Sequence, residues 1–100
     1  MPKTAFIVLK SPQDQDPTHM MKRLSEKRDA SAILLEDGVY QALTTLAAGR
    51  LHEAAEVVLV SKGDIEARGF SASDLKIGKA VGYSDIIDCI MERTERTVTV

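Results

Sequence analysis

The stretch SAILLEDGVYQAL, residues 31–43, changes its hydrophobic pattern halfway along and therefore predicts a boundary between two elements. The apolar run Ala32–Leu35 has the length and composition of a buried β-strand. The residues EDG at positions 36–38 end that run, and apolar residues then return at helical spacing. The stretch predicts a strand, a tight turn and a helix, which is the unit that builds parallel sheets.

The same alternation of strand and helix patterns continues along the chain. Four more runs have the length and composition of strands, at residues 4–9, 55–60, 76–81 and 96–100, and Gly78 interrupts the third of these. The alternation predicts an α/β fold, a three-layer α/β/α domain with a mostly parallel sheet of about five strands. Because 100 residues suffice for one hydrophobic core, residues 1–100 are predicted to form a single domain.

Start and stop signals predict the limits of the first three helices. The first is expected to begin with Asp16 as its cap and Pro17 at the first helical position. The second follows the EDG turn and is expected to end at Gly49. A short helical segment at residues 64–68 is expected to close at Gly69.

The last helix is predicted to begin at Tyr83, followed by Ser84 and Asp85. Its inward-facing residues are expected to be Ile86, Ile87, Ile90 and Met91. The alternating residues 96–100 that follow predict an edge strand at the end of the sheet.

Composition indicates a globular protein and disfavours several classes of partner. Apolar residues make up 44% of the chain and charged residues 28%, which argues against disorder. A net charge of −2 does not provide the excess of basic residues that direct binding of nucleic acid usually requires. The N-terminal apolar run is too short for a signal peptide or a membrane span, so the expected location is the cytoplasm, with no membrane contact.

The EDG turn admits two interpretations, a structural cap and the lip of a ligand site. Gly38 allows close approach of the backbone or a positive φ, and Asp37 can cap the following helix. The capping interpretation is favoured, because an ionised Asp37 already supplies negative charge where an anion would bind. Neither glycine-rich phosphate-binding motif occurs anywhere in the chain.

Other candidate binding residues follow predicted strand ends, because loops at the carboxyl ends of parallel strands form the usual binding edge of such sheets. These loops begin at residues 11, 36, 61 and 82. Lys62 is a candidate for anion binding, although an exposed turn lysine with Asp64 as the helix cap is the commoner arrangement. Arg68 lies one turn after Asp64, a spacing at which the pair stabilises a helix and faces one neighbourhood.

Cys89 is the only candidate nucleophile, and its predicted position argues against reactivity. It is expected within the last helix, partly buried and near acidic residues, whereas reactive thiols favour exposed and cationic surroundings. A single cysteine also excludes a disulfide or a Cys-x-x-Cys pair within the chain. His19 and His52 lie on separate elements without metal-ligand spacing, so no metal site and no cofactor are predicted.

Four segments together resemble a known family. They are FIVLKSP (6–12), LLEDGVYQAL (34–43), DIEARGF (64–70) and YSDIIDCIME (83–92). Their order and spacing resemble the DsrH/TusB branch of the DsrE/DsrF/DsrH sulfur-relay proteins. The resemblance implies a small α/β/α fold and a place in a cytoplasmic complex of related small subunits of the DsrE/DsrF or TusC/TusD type.

Such complexes pass persulfide sulfur toward 2-thiouridine at the wobble position of tRNA, or along a sulfur-oxidation route. The carrier cysteine belongs mainly to the DsrE/TusD type of subunit, and the TusB type is a structural partner. The resemblance therefore implies a non-catalytic subunit without its own essential thiol. Its expected edge or partner residues are Ser11, Asp37, Gly38, Tyr40, Lys62, Asp64, Arg68, Tyr83 and Asp85.

Two alternatives remain open. One is a stand-alone, homo-oligomeric module of the same fold that binds a small ligand or an anion at the sheet edge. The other is a persulfide carrier that uses Cys89. In either case a domain of this size gains buried area by assembly, and Tyr40 with the exposed side of its helix is the expected interface.

Overall fold

The computed structural model describes residues 3–100. Its strands are β1 (Thr4–Val8), β2 (Ala30–Leu34), β3 (Val57–Ser61), β4 (Lys79–Val81) and β5 (Arg96–Thr99). Its α-helices are α1 (Thr18–Leu24), α2 (Tyr40–Leu43), α3 (Thr45–Ala54), α4 (Lys62–Ala67) and α5 (Tyr83–Asp88). Short 3₁₀ turns occupy Lys27–Asp29, Glu36–Val39 and Ala72–Asp74, and a π-helical turn, Cys89–Arg93, continues α5.

The five strands form one parallel sheet in the order β4-β3-β2-β1-β5. The central strand is β2, and the interior strand β1 pairs Phe6 with Ala32 of β2 on one side and with Val98 of β5 on the other. β1, β2 and β3 are largely apolar on both faces, as expected for strands covered from both sides. The predicted α/β fold with a mostly parallel sheet of about five strands is confirmed.

The layers on the two faces of the sheet are unequal. The chain steps in one direction from β1 to β4, so right-handed crossovers place α1 to α4 on the same face. The return from β4 to β5 crosses in the opposite direction and places α5 on the other face. The first core accordingly contains Phe6, Met21, Leu51 and Ile65, whereas the second contains Ala5, Ile33, Leu59, Val81, Ile86 and Cys89.

Two predicted element limits are wrong because local backbone geometry interrupts them. The predicted second helix is broken at Thr44, whose extended backbone separates α2 from α3, and Gly49 lies inside α3 rather than at its end. The fourth strand begins only after Gly78, whose φ of 81° is incompatible with an extended strand. The predicted closure of α4 at Gly69 is confirmed, since that residue has a φ of 83°.

The first helix begins one residue later than predicted, with Pro17 as its N-cap. Asp16 still serves the helix start, because its Oδ1 accepts hydrogen bonds from the backbone N–H of Thr18 at 3.0 Å and from its hydroxyl at 2.6 Å. Burial alone would raise the pKa of the Asp16 carboxyl, but these hydrogen bonds and the nearby Arg50 hold that pKa below its ordinary value.

The inward face of α5 is narrower than predicted. Ile86 is buried and Ile90 is half-buried, but Ile87 is 41% exposed and Met91 faces solvent. Successive helix residues point about 100° apart, so Ile86 and Ile87 cannot both face the sheet. The alternating edge strand at the end of the chain is confirmed as β5.

Candidate functional site

The EDG turn, which follows β2, packs directly against the end of the neighbouring strand β1. The Leu35 N–H donates to the Val8 carbonyl at 3.0 Å, and Gly38 N–H donates back to Leu35 at 2.9 Å. A Cβ on Gly38 would lie 1.9 Å from the Val8 carbonyl oxygen, so only glycine fits. The positive φ belongs to Glu36, at 51°, and not to Gly38; the glycine is required for close approach.

Neither Asp37 nor Asp64 acts as the helix cap that was predicted, because both carboxylates bind partners across the fold. Asp37 Oδ1 accepts hydrogen bonds from Arg68 Nε at 3.1 Å and from Arg68 Nη2 at 2.9 Å. Asp64 Oδ2 accepts from the Glu36 N–H at 2.9 Å and so supports the left-handed turn. The N-cap of α4 is Ser61, whose hydroxyl accepts from the Asp64 N–H.

Arg68 joins the loop after β2 to the helix after β3. Its Nη1 donates to the Asp64 carbonyl at 3.1 Å and lies 3.8 Å from the Asp64 carboxylate, which is the i,i+4 pair predicted from the sequence. The hydrogen bond to Asp37 raises the pKa of the Arg68 guanidinium and outweighs the opposing effect of its partial burial. The segments EDG and DIEAR are therefore parts of one electrostatic network, which we call the edge network (Glu36, Asp37, Asp64 and Arg68).

Beside this network lies a cleft of about 490 Å³, which we call the edge cleft, lined by Ser11, Pro12, Gln13, Asp37, Tyr40 and Thr44. Residues 11–13 form one wall of this cleft. The buried side chain of Gln41 holds the flanking residues in place, because its Nε2 donates to the carbonyls of Lys10 at 3.2 Å and Gln15 at 3.0 Å. The Tyr40 ring packs edge-on against Phe70, with centroids 6.0 Å apart. The volume lies within the range of small-ligand pockets.

The structure divides the predicted site residues into separate groups. Ser11, Asp37 and Tyr40 line the edge cleft. Lys62 and Asp85 line a second cleft beside α5, and Tyr83 is exposed on that helix. Gln41 was missed by sequence reasoning, although a polar side chain within an apolar helical segment is the signal that could have found it.

The described residues that line the edge cleft supply hydroxyl and amide groups and include no activated nucleophile. Its carboxylate, Asp37, is engaged by Arg68, and Cys89 lies in the second core at 2% exposure. Within residues 3–100, no group of three His, Cys, Asp or Glu side chains is placed to hold a metal ion. The arrangement is suited to binding rather than to acid–base chemistry.

The described part of the chain, residues 3–100, contains no helix with the length and apolar character needed to cross a membrane.

A double-mutant cycle tests the edge network. We expect Arg68→Met to lower the free energy of unfolding by about 1–3 kcal/mol, because hydrogen bonds to charged groups are lost while the apolar stem is kept. The coupling to Asp37→Asn should be about 1 kcal/mol, since Asp37 is 58% exposed. Urea denaturation of both single variants and the double variant measures both quantities.

The control for this cycle is the exposed pair of Arg28 and Glu26, which also lies at hydrogen-bonding distance. The coupling energy of this pair should be close to zero, because both side chains are well exposed and the pair does not connect two different helices or strands. Equal coupling in the two pairs would contradict a structural role for the edge network.

Comparisons with known proteins identify the family. The family described as "DsrH like protein" matches residues 10–96. The solution NMR structure of protein Tm0979 from Thermotoga maritima is similar to this chain, with a TM-score of 0.61 and 28% identity. The match covers 86% of this chain and 90% of the Thermotoga chain. A search of curated proteins finds no match. Because the family match spans nearly the whole chain, the protein belongs to the DsrH-like family.

Proposed function

We propose that this protein is a non-catalytic subunit of a cytoplasmic sulfur-relay complex, assembled with related small subunits of the DsrE and DsrF, or TusC and TusD, type. Membership of the DsrH-like family supports a sulfur-relay role at the level of the family. The observation that carries the non-catalytic role is the burial of Cys89, the only thiol in the chain. Its acceptor pathway is either tRNA wobble uridine thiolation or sulfur oxidation.

Persulfide transfer requires an accessible thiolate. The attacking Sγ must reach the outer sulfur of the donor persulfide, form a new S–S bond to it and release the donor thiolate. Cys89 is 2% exposed and packs in the core that also contains Ile33 and Ile86. A donor of protein size cannot approach that atom while α5 covers the sheet. The relay chemistry therefore falls to the partner subunits.

A homo-oligomeric ligand-binding module remains the second candidate function. The edge cleft favours it, because a cavity of about 490 Å³ with several polar side chains is large enough for a small molecule. Tyr40 lines this cleft and is half-buried against Phe70. Its predicted role at a subunit interface stays a prediction.

The proposed function is tested by comparing wild-type protein with Cys89→Ala. After incubation with a small-molecule persulfide donor, we expect intact mass spectrometry to show no added sulfur on the native wild-type protein. When co-expressed with DsrE- and DsrF-type subunits, both forms should co-purify with them and support equal sulfur transfer. The variant removes one buried sulfur atom, so its melting temperature is measured as the folding control.

Two outcomes would contradict the proposal in different ways. A sulfur adduct on Cys89 with loss of transfer in Cys89→Ala would establish a carrier. Recovery of the protein only as a complex with itself would favour the homo-oligomeric module.

A further inference from the structure

A second cleft, on the α5 face of the sheet, has no role in the proposed function. It measures about 370 Å³ and is lined by Leu59, Lys62, Lys79, Ala80, Val81, Gly82, Asp85 and Arg93. We call it the basic cleft. The ends of β3 and β4 form one side of it and α5 with its π-helical turn forms the other. It is therefore separate from the edge cleft, which lies between the loop after β1 and α2.

The charge of the basic cleft is opposite to that of the whole protein. Lys62, Lys79 and Arg93 contribute three positive charges and Asp85 one negative charge, whereas the chain carries a net charge of −2. None of the three cations forms an ion pair with any of residues 3–100. Other cations, such as Lys10 and Lys27, are also unpaired within residues 3–100, so what distinguishes these three is that they line one cavity. Unpaired cations that converge on one cavity attract anions, because the cavity walls concentrate their field.

The remaining lining residues define what kind of anion fits. Leu59 and Val81 line the cleft and belong to the second core, so they give it an apolar floor. Gly82 presents backbone without a side chain, and a Cβ at this position would meet no atom within 4 Å. An oxyanion would meet the cations around the opening, and a small apolar substituent would contact the floor.

We propose that the basic cleft is a binding site for a small oxyanion, of the phosphate, sulfate or carboxylate class, held by Lys62, Lys79 and Arg93. Asp85 opposes binding by charge repulsion and limits the affinity. The site does not depend on the sulfur-relay role, and it uses different residues from the edge network.

The proposal is tested by NMR titration of the full chain with inorganic phosphate and with phenyl phosphate, at constant ionic strength. We expect saturable shifts in the amides of Lys62, Val81 and Gly82. Tighter binding of phenyl phosphate than of inorganic phosphate would identify an organic anion that uses the apolar floor. Equal affinity would identify the free inorganic ion. Either result supports an oxyanion site.

The variants should change the binding affinity in opposite directions. Damage to the fold could only weaken binding, so a variant that binds more tightly distinguishes a direct effect on the site from unfolding. Lys79→Ala and Arg93→Ala should each weaken binding by about tenfold, since each removes a charge-assisted hydrogen bond. Asp85→Asn should strengthen binding by roughly threefold, because it removes a like charge from the cleft. Lys27→Ala, which removes an exposed cation outside the cleft, should leave affinity unchanged. The absence of saturable shifts, or equal affinity in wild type and all four variants, would overturn the proposal.

Discussion

Replacement of Gly38 by alanine is expected to lower the free energy of unfolding by more than about 3 kcal/mol, at the upper end of the cost of overpacking. The new Cβ would lie 1.9 Å from the Val8 carbonyl oxygen and 2.7 Å from its carbon. Both atoms belong to Val8, at the end of the interior strand β1, which pairs with β2 on one side and β5 on the other and therefore cannot move alone. Because such a loss is a large part of the stability of a small protein, we expect the melting temperature to fall by about 12 °C or more.

Gly49→Ala is the matched control for this prediction. Gly49 lies within α3, and a Cβ there would meet no atom within 4 Å. Alanine is the better helix former, so the free energy of unfolding should rise by about 0.5–1 kcal/mol. Thermal denaturation followed by circular dichroism measures both variants. A melting temperature unchanged in Gly38→Ala would show that β1 and the EDG turn are not in the contact described.

Replacement of Ile86 by alanine is expected to cost about 2–5 kcal/mol, the usual range for removing a buried aliphatic side chain. Ile86 is 1% exposed and belongs to the second core, which a single helix covers. Among residues 3–100, no other helix packs on that face and could collapse into the cavity, so relaxation is limited. Chemical denaturation of the purified variant measures the loss.

The adjacent Ile87 provides the control, because it has the same side chain on the same helix but is 41% exposed. Ile87→Ala should change the free energy of unfolding by about 0.5 kcal/mol or less. Equal costs at the two positions would mean that the inward face of α5 differs from the one described, and the assignment of Cys89 to the same core would then need revision.

Much of the fold follows from local pattern in the sequence. The runs that became β1, β2 and β3 are largely apolar on both faces, which is the pattern typical of strands in a buried parallel sheet. The helix end at Gly69 follows from the freedom of glycine to adopt a positive φ. The partial burial predicted for Cys89 follows from its place in a helix with one apolar face, and the structure buries it further, to 2% exposure. Each of these depends on residues close together in the chain, which is why the sequence predicts them.

Other features depend on which distant residues meet, and local pattern misassigned them. Asp37 and Asp64 both stand where a helix cap is expected, and capping is the commonest use of aspartate there. In the folded protein Arg68 engages Asp37, while Asp64 accepts the Glu36 N–H, contacts that span 31 and 28 residues. The apolar residues around Thr44 recur at continuous helical spacing, which predicts one helix, but the extended backbone of Thr44 divides it into α2 and α3.

In the EDG turn, some features follow from neighbouring residues in the sequence and others from contacts with distant residues. Its acidic pair and glycine, placed between an apolar run and a helical pattern, were enough to predict the transition from strand to helix, because that transition depends on neighbouring backbone conformations. The need for glycine at position 38 arises from the Val8 carbonyl, 30 residues earlier in the chain, and the partner of Asp37 comes from a helix beyond the next strand. Only the parallel stacking of β1, β2 and β3 brings those groups within contact distance, and that stacking assembles the edge network and the edge cleft beside it.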